Sequence, residues 1–118
     1  WFPVNYIIIT SLRKYQHFYG DKFQVEFPKG SGVKMSLGEV ADEISDRLVS
    51  MFLPNKQGAR PALSSMKKYN QGQDWQDLVL FHEYFHGDTG QGLGASHQTG
   101  WTALVVTLMR DRARHEMR

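Results

Sequence analysis

The sequence predicts an all-α fold in which three amphipathic helices are joined by long loops. Apolar residues recur at three- and four-residue steps in three separate stretches, and this spacing is that of one helix face. Glycine and proline clusters end or separate these stretches. Three such helices bury little surface on their own, so we expect residues 1–118 to belong to a single, larger helical domain.

The first helix is predicted over residues 1–19. Pro3 suits a first helical turn, where its missing N–H is no loss, and Gly20 ends the helix. The apolar stripe of this helix consists of Val4, Ile8, Leu12, Tyr15 and Tyr19. Residues 21–34 predict a short extended segment and a loop, because apolar residues alternate there before a proline and two glycines.

Ser36 and Glu39 stand at the spacing of a capping box, which predicts the start of a second helix. The apolar stripe of this helix consists of Leu37, Val40, Ala41, Ile44, Leu48 and Phe52. Pro54 stops the helix, and residues 59–74 are predicted to be a polar loop.

Residues 75–85 fit either an extended segment or a short helix. The glycines that follow exclude a long helix, since each costs about 1 kcal/mol relative to alanine in a helix interior. A last helix is predicted after Ser96 or Thr99, because either residue can cap it. The apolar face of this helix consists of Trp101, Leu104, Val105, Leu108 and Met109.

Composition excludes several classes of function. The chain has no cysteine, so a disulfide framework, a thiolate metal site and a cysteine nucleophile are excluded, and a reducing compartment such as the cytoplasm fits. No apolar run reaches the length that spans a membrane. The formal charge is only +2, and the arginine-rich residues 110–118 are interpreted as the solvated end of the last helix. We therefore expect neither a membrane nor a nucleic-acid partner.

The richest chemistry lies in residues 78–104, which hold three histidines, a glutamate and several glycines. Residues 82–86 match the H-E-x-x-H zinc pattern, in which two histidines one helical turn apart share a zinc ion and the glutamate polarises a water. That pattern needs a helix through both histidines, whereas a glycine follows the second histidine at once. A third ligand would be His97 or Glu116. Because the required helix is not expected here, a zinc metallopeptidase is the weaker alternative.

If residues 78–86 are extended instead, their side chains alternate between two sides. His82, Tyr84 and His86 then fall on one side, and Phe81, Glu83 and Phe85 fall on the other. A carboxylate between two phenylalanines is either a partly exposed salt-bridge partner or a functional group, and the sequence leaves both open.

Residues 81–105, FHEYFHGDTGQGLGASHQTGWTALV, resemble the C-terminal active-site segment of glycoside hydrolase family 63. That family includes processing α-glucosidase I, and mannosylglycerate hydrolases are near relatives. Residues 1–23, WFPVNYIIITSLRKYQHFYGDKF, are similar to the helix that follows the family's Trp-Arg-Gly motif, and Trp1 resembles the tryptophan that closes the motif. The run EVADEI and the following Arg47-Leu48 also fit, so the resemblance covers nearly the whole chain.

The resemblance implies an (α/α)6 barrel and hydrolysis of an α-glycosidic bond with inversion, without a cofactor or a metal ion. It assigns Glu83 as the general base, which activates a water while a separate carboxylic acid protonates the leaving group. The substrate is expected to be an oligosaccharide or a small α-glucoside. The residues expected to bind it are Trp1, Tyr84, His86, His97 and Trp101. Core packing at a helix start is the alternative role for Trp101.

A general base must be ionised, so an apolar flank has to be offset by hydrogen-bond donors, for which His82, His86 and His97 are candidates. The family's general-acid aspartate lies well upstream of the Trp-Arg-Gly motif. We therefore expect this chain to be a C-terminal fragment of a barrel that continues upstream of Trp1. By itself it is expected to be inactive, and either poorly folded or self-associating. An inactive helical module is the third hypothesis.

Overall fold

The computed structural model of the chain describes residues 1–116. Met117 and Arg118, which end the predicted arginine-rich stretch, lie outside the described residues. The chain divides into two compact units. Val4–Asp46 forms the first unit, and Trp1–Pro3 together with the residues from Arg47 onward forms the second unit.

Helix α1 spans Phe2–Tyr19, which confirms the first predicted helix. Gly20 ends it as predicted, with a φ of 69° and an amide N–H that donates to the carbonyl of Gln16 at 2.8 Å. Glycine adopts a positive φ without a steric penalty from a side chain, so this residue closes the helix in a left-handed cap.

The predicted apolar stripe of α1 is exposed and not buried. Four of its five residues are 44–57% exposed: Val4, Ile8, Tyr15 and Tyr19. The buried apolar residues of α1 are instead Phe2 and Ile9, which lie seven positions apart and so share a different face. The stripe was wrong because α1 is apolar on more than one face, and periodicity alone does not say which face is covered.

Strands β1 (Gln24–Glu26) and β2 (Lys34–Ser36) form an antiparallel pair. The pair confirms the predicted extended segment and adds a second strand at the end of the predicted loop. The carboxylate of Glu26 closes the connection by accepting the N–H of Gly32 at 2.7 Å.

Helix α2 spans Leu37–Ser50 and begins with the predicted capping box. The N–H of Glu39 donates to Ser36 Oγ at 3.3 Å, and the N–H of Ser36 donates to Glu39 Oε2 at 2.7 Å. The second bond is the main reason why the pKa of Glu39 lies below its usual value. The predicted stripe is confirmed at Leu37, Val40, Ala41 and Phe52, which are buried, whereas Ile44 and Leu48 are only partly buried. Val49, outside the predicted stripe, is buried as well.

Residues 59–74 are not the simple loop that was predicted. A 3-10 helix spans Pro61–Leu63 and buries Ala62 and Leu63, and helix α3 spans Lys67–Gln71. The prediction was wrong because two apolar residues beside a proline show no periodicity.

Strands β3 (Tyr84–Phe85) and β4 (Gly92–Leu93) form a second antiparallel pair. The end of the predicted 75–85 segment is therefore extended and not helical. Phe81, just before β3, makes an isolated parallel bridge with His97.

Helices α4 (Thr99–Thr102) and α5 (Leu104–Glu116) follow. The predicted caps are wrong, because the residue before α4 is Gln98 and it makes no side-chain capping bond. The predicted apolar face of α5 is confirmed at Val105 and Leu108, which are buried.

A cluster of four phenylalanines packs within the second unit. The ring of Phe52 lies 5.6–6.2 Å from the rings of Phe2, Phe81 and Phe85. These rings bring the first residue of α1, the turn after α2 and the segment around β3 into one apolar cluster.

The chain is mostly helical, and its three longest elements are helices of 18, 14 and 13 residues. The two short strand pairs stand beside the helices, so the fold is mostly helical and not all-α. No helix within residues 1–116 is long and apolar enough to cross a membrane.

Candidate active site

Glu83 lies at a bend just before strand β3. Its N–H donates to the carbonyl of Ala95 at 2.8 Å, and the N–H of Ala95 donates back to the carboxylate oxygen Oε2 at 3.2 Å. This reciprocal pair fixes the backbone and the side chain of Glu83 against one residue. The carboxylate is held in place but remains half-buried, and it is therefore accessible.

Gly94 permits this close approach. Its φ is 70°, and a Cβ at this position would lie 2.7 Å from Glu83 Oε2 and 2.8 Å from Tyr84 Cε1. A side chain here would therefore strain the backbone and displace the carboxylate or the tyrosine ring. The side chains of Glu83 and Tyr84 thus both pack against the backbone of Gly94.

Three aromatic residues that were predicted to bind substrate come together next to Glu83. The ring of Trp1 stacks on Tyr84 at 5.3 Å and 14°, and the edge of Trp101 meets Trp1 at 5.6 Å and 65°. Both spacings are those of favourable aromatic pairs. We name Trp1, Tyr84 and Trp101 the aromatic platform; Trp1, its outermost member, is 52% exposed.

The predicted alternation of residues 81–86 does not hold around Glu83. Phe81 and Phe85 both pack on Phe52, whereas the carboxylate of Glu83 reaches Ala95. Glu83 lies at a bend before β3 and not in a continuous strand, so strict alternation does not extend through residues 81–86. The sequence left open whether this carboxylate is a salt-bridge partner or a functional group; in the structure it accepts a hydrogen bond from the backbone amide of Ala95.

His82 is buried, with only 2% of its surface exposed, and its Nδ1 has no hydrogen-bond partner. Burial lowers the pKa of His82, and the charge of His97 lowers it further. A Cβ at Gly92 would lie 2.2 Å from Nδ1, so the backbone of β4 packs directly on the imidazole ring. His82 is therefore an interior residue whose Nδ1 faces β4, and its role as a hydrogen-bond donor to Glu83 stays a prediction.

His86 and His97 are exposed and do not join the aromatic platform. The Nδ1 of His86 accepts the N–H of Asp88 at 3.2 Å, which makes Nε2 the protonated nitrogen of the neutral ring. His97 is held through its backbone by the bridge to Phe81. Their assignment to substrate binding stays a prediction.

The zinc pattern lacks the geometry that it requires. Residues 82–86 bend and then enter a strand, so His82 and His86 do not lie one turn apart on a helix. Within the part of the chain that the structure describes, no three His, Asp or Glu side chains come together as metal ligands. The side chain of Glu116, a candidate third ligand, lies outside the described residues.

Sequence reasoning missed the residues that hold Glu83. Ala95 acts through its amide and carbonyl, and Gly94 acts through the absence of a side chain, so neither carries a type-specific signal. Thr102, whose hydroxyl donates to the carbonyl of His82, was also missed. Its position three residues after Thr99, on a helix start, gave no indication of a buried polar contact.

Comparisons with known proteins identify a relative but not a function. No family model matches the chain, and no solved structure matches it. The chain is 43% identical over 113 residues to the uncharacterized protein YMR196W of Saccharomyces cerevisiae, which covers 94% of this chain. The same alignment covers 10% of the yeast protein, so the chain spans about a tenth of that relative's length.

Proposed function

We propose that this chain is the C-terminal portion of an inverting α-glycosidase of the α-glucosidase-like kind, with Glu83 as its general base. The observation that carries the proposal is the accessible carboxylate of Glu83 beside the aromatic platform of Trp1, Tyr84 and Trp101. The resemblance to glycoside hydrolase family 63 supplies the reaction and the (α/α)6 barrel, of which α1, α2 and α5 would be helices.

The carboxylate of Glu83 has the arrangement that a base needs. The amide of Ala95 occupies Oε2 and sets the orientation of the group, so Oε1 is the oxygen available to take a proton from water. General-base catalysis requires this kind of positioning within hydrogen-bond reach of the attacking water. The orientation comes from a backbone amide, which holds its place as long as β3 and β4 stay paired.

The aromatic platform has the composition of a sugar-binding surface. Ligand sites are lined mostly by apolar and aromatic side chains with a few placed polar groups, and flat rings offer a broad apolar area to the C–H face of a pyranose. Tyr84 stacks on Trp1, and Trp101 meets Trp1 in an edge-to-face arrangement. The sugar is therefore proposed to lie against the platform with its anomeric carbon toward Glu83.

Inversion also needs a carboxylic acid about 6.5–9.5 Å from the base. The proposal assigns this acid to the part of the barrel that precedes Trp1 in the complete enzyme. Protonation of the leaving group by a placed acid contributes roughly 10²–10⁴-fold to the rate. The isolated chain is therefore expected to be inactive on α-glucosides.

A chimera with the yeast relative tests the proposal. This chain replaces the 113 matched residues of YMR196W, and hydrolysis of a panel of α-glucosides is followed by NMR of the released anomer. We expect release of the β-anomer, and Glu83→Gln should lower kcat by roughly two or more orders of magnitude because the amide cannot take a proton. Asp77→Asn, an equivalent change at an exposed position, is the matched control and should leave kcat unchanged.

Chemical rescue sharpens the test. Glu83→Ala opens space for azide, which can attack the anomeric carbon without a base while the leaving group departs with a proton from the acid. We expect azide to restore activity to Glu83→Ala and to give the β-glycosyl azide. Near-normal turnover of Glu83→Gln in an active chimera, or activity that follows zinc content through His82 and His86, would refute the proposal.

A further inference from the structure

Three consecutive carbonyl groups that lead into Glu83 are held by donors from one short stretch of chain. The N–H of Gln98 donates to the carbonyl of Phe81 at 2.8 Å, and the hydroxyl of Thr102 donates to the carbonyl of His82. The indole N–H of Trp101 donates to the carbonyl of Glu83 at 3.2 Å. We name residues 98–102 the clamp, because its donors fix residues 81–83 one after another.

Trp101 has two roles that a single substitution can separate. Its ring packs edge-to-face with Trp1 in the aromatic platform, and Nε1, the only polar atom of its side chain, donates to the carbonyl of Glu83. Indole nitrogen is a donor and cannot accept, so the bond to Glu83 leaves Trp101 only its apolar surface to offer a sugar. Trp101 therefore contacts both the aromatic platform, through its ring, and the backbone of the proposed base, through its N–H.

Thr102 is fully buried, and its hydroxyl is satisfied by the carbonyl of His82. A buried carbonyl that loses its donor is costly, because it no longer has water as an alternative partner. The imidazole of His82 is meanwhile pinned against Gly92 on the other side. His82 is thus held through its carbonyl by Thr102 and through its ring by β4. Because residue 82 directly precedes Glu83, holding it in place also restricts the backbone of Glu83.

We infer that Trp101 and Thr102 are positioning residues, which act on the carboxylate of Glu83 by fixing the backbone of residues 82 and 83. The inference rests on the proposed function for its catalytic consequence, and the clamp itself can be measured without any activity. It changes the role expected for Trp101, from a residue that mainly binds sugar to one that mainly orients the base.

Hydrogen exchange on the chain itself tests the clamp. Thr102→Val keeps the shape of the side chain and removes the hydroxyl, and Trp101→Phe keeps an aromatic ring and removes the N–H. In each variant the amide of Glu83 should exchange at least tenfold faster, whereas the amide of Val49 in α2 should not change. Thr102→Ser keeps the hydroxyl that Thr102→Val lacks. In this variant the amide of Glu83 should exchange at the rate of the unsubstituted chain.

The two variants protect the test against loss of folding. If Thr102→Val also accelerates exchange at Val49, the protein has opened globally, and Trp101→Phe then decides. Unchanged exchange of the Glu83 amide in Trp101→Phe would overturn the clamp. Faster exchange at Glu83 alone, with rescue by Thr102→Ser, supports it.

Kinetics of the chimera with YMR196W separates positioning from substrate contact. A positioning role predicts that Trp101→Phe lowers kcat about tenfold while KM changes less than twofold, because the ground-state sugar contact survives in the phenylalanine ring. A raised KM with unchanged kcat would overturn the positioning role. An unsubstituted chimera without activity counts against the proposed function, and the exchange result then decides the clamp alone.

Discussion

Helix α1 and the segment 81–102 show that regular structure and tight constraint are different properties. Helix α1 is 18 residues of unbroken helix, yet Val4, Ile7 and Phe18 are 57%, 62% and 78% exposed. The segment 81–102 contains only two-residue strands and a four-residue helix. Nevertheless, its backbone is bonded at nearly every step from Phe81 to His86.

Substitutions in the two regions are expected to differ in their effect on stability. On the exposed face of α1 a side chain contacts little, so its loss changes stability only slightly. In the segment 81–102 the neighbours are backbone atoms and packed rings, which cannot move aside.

The largest effect on stability is expected for Gly92→Ala. A Cβ there would lie 2.2 Å from Nδ1 of His82 and 2.8 Å from the carbonyl oxygen of Ala62, and the second atom is backbone. Overpacking of this kind costs about 1–3 kcal/mol or more. Denaturant unfolding should show this loss for Gly92→Ala and little change for Gly87→Ala, since a Cβ at Gly87 meets nothing within 4 Å. Equal stability of the two variants would contradict the packing of His82 on β4.

The two regions also differ in how well the sequence predicted them. The end of α1 depends on Gly20, and the start of α2 depends on the pair Ser36 and Glu39. These are local signals, and both predictions were confirmed. The surroundings of Glu83 depend on contacts between residues that are 12–20 positions apart, such as Ala95 with Glu83 and Thr102 with His82. Local periodicity carries no information about such contacts.

The resemblance supplied part of what periodicity could not. It named Trp1, Tyr84 and Trp101, and the structure brings these three together. It did not indicate that Trp101 bonds to the backbone of Glu83, because a motif records residue types and not the partners of their polar atoms. The catalytic role of Glu83 and the barrel stay predictions.

A smaller effect is expected from pH, through His82. Burial and His97 hold its folded-state pKa below the unfolded value of 6.5. Between these two pKa values the unfolded chain binds more protons, so stability is full above about pH 6.5 and decreases as the pH falls toward the folded pKa. NMR titration of the His82 ring should give a pKa below 6.5, and denaturant unfolding should show the matching loss of stability.

A matched pair of substitutions isolates this contribution. His82→Phe removes the titrating group from a site already lined by Phe85, and the decrease in stability between pH 7 and pH 5 should become shallower. His17→Phe makes the same chemical change at an exposed position and should leave the decrease as it was. A His82 pKa at or above 6.5 would show that the ring is not held neutral in the interior.

The smallest effect on stability is expected on the exposed face of α1, where association should change instead. Ile7 and Phe18 are 62% and 78% exposed, and their spacing of 11 residues places them on one face about three turns apart. Exposed apolar patches of this kind favour association, so the isolated chain should self-associate at high concentration in analytical ultracentrifugation. The double variant Ile7→Gln, Phe18→Gln should weaken association roughly tenfold, which corresponds to about 1.4 kcal/mol, while the free energy of unfolding changes by only about 0.5 kcal/mol.

Ile9→Gln is the opposing control: Ile9 is fully buried, so this variant should be destabilised by far more than the double variant. A chain that remains a monomer at all concentrations, or a double variant that associates as strongly as the original, would show that this face of α1 does not carry the association, and the contrast with the segment 81–102 would then rest on stability alone.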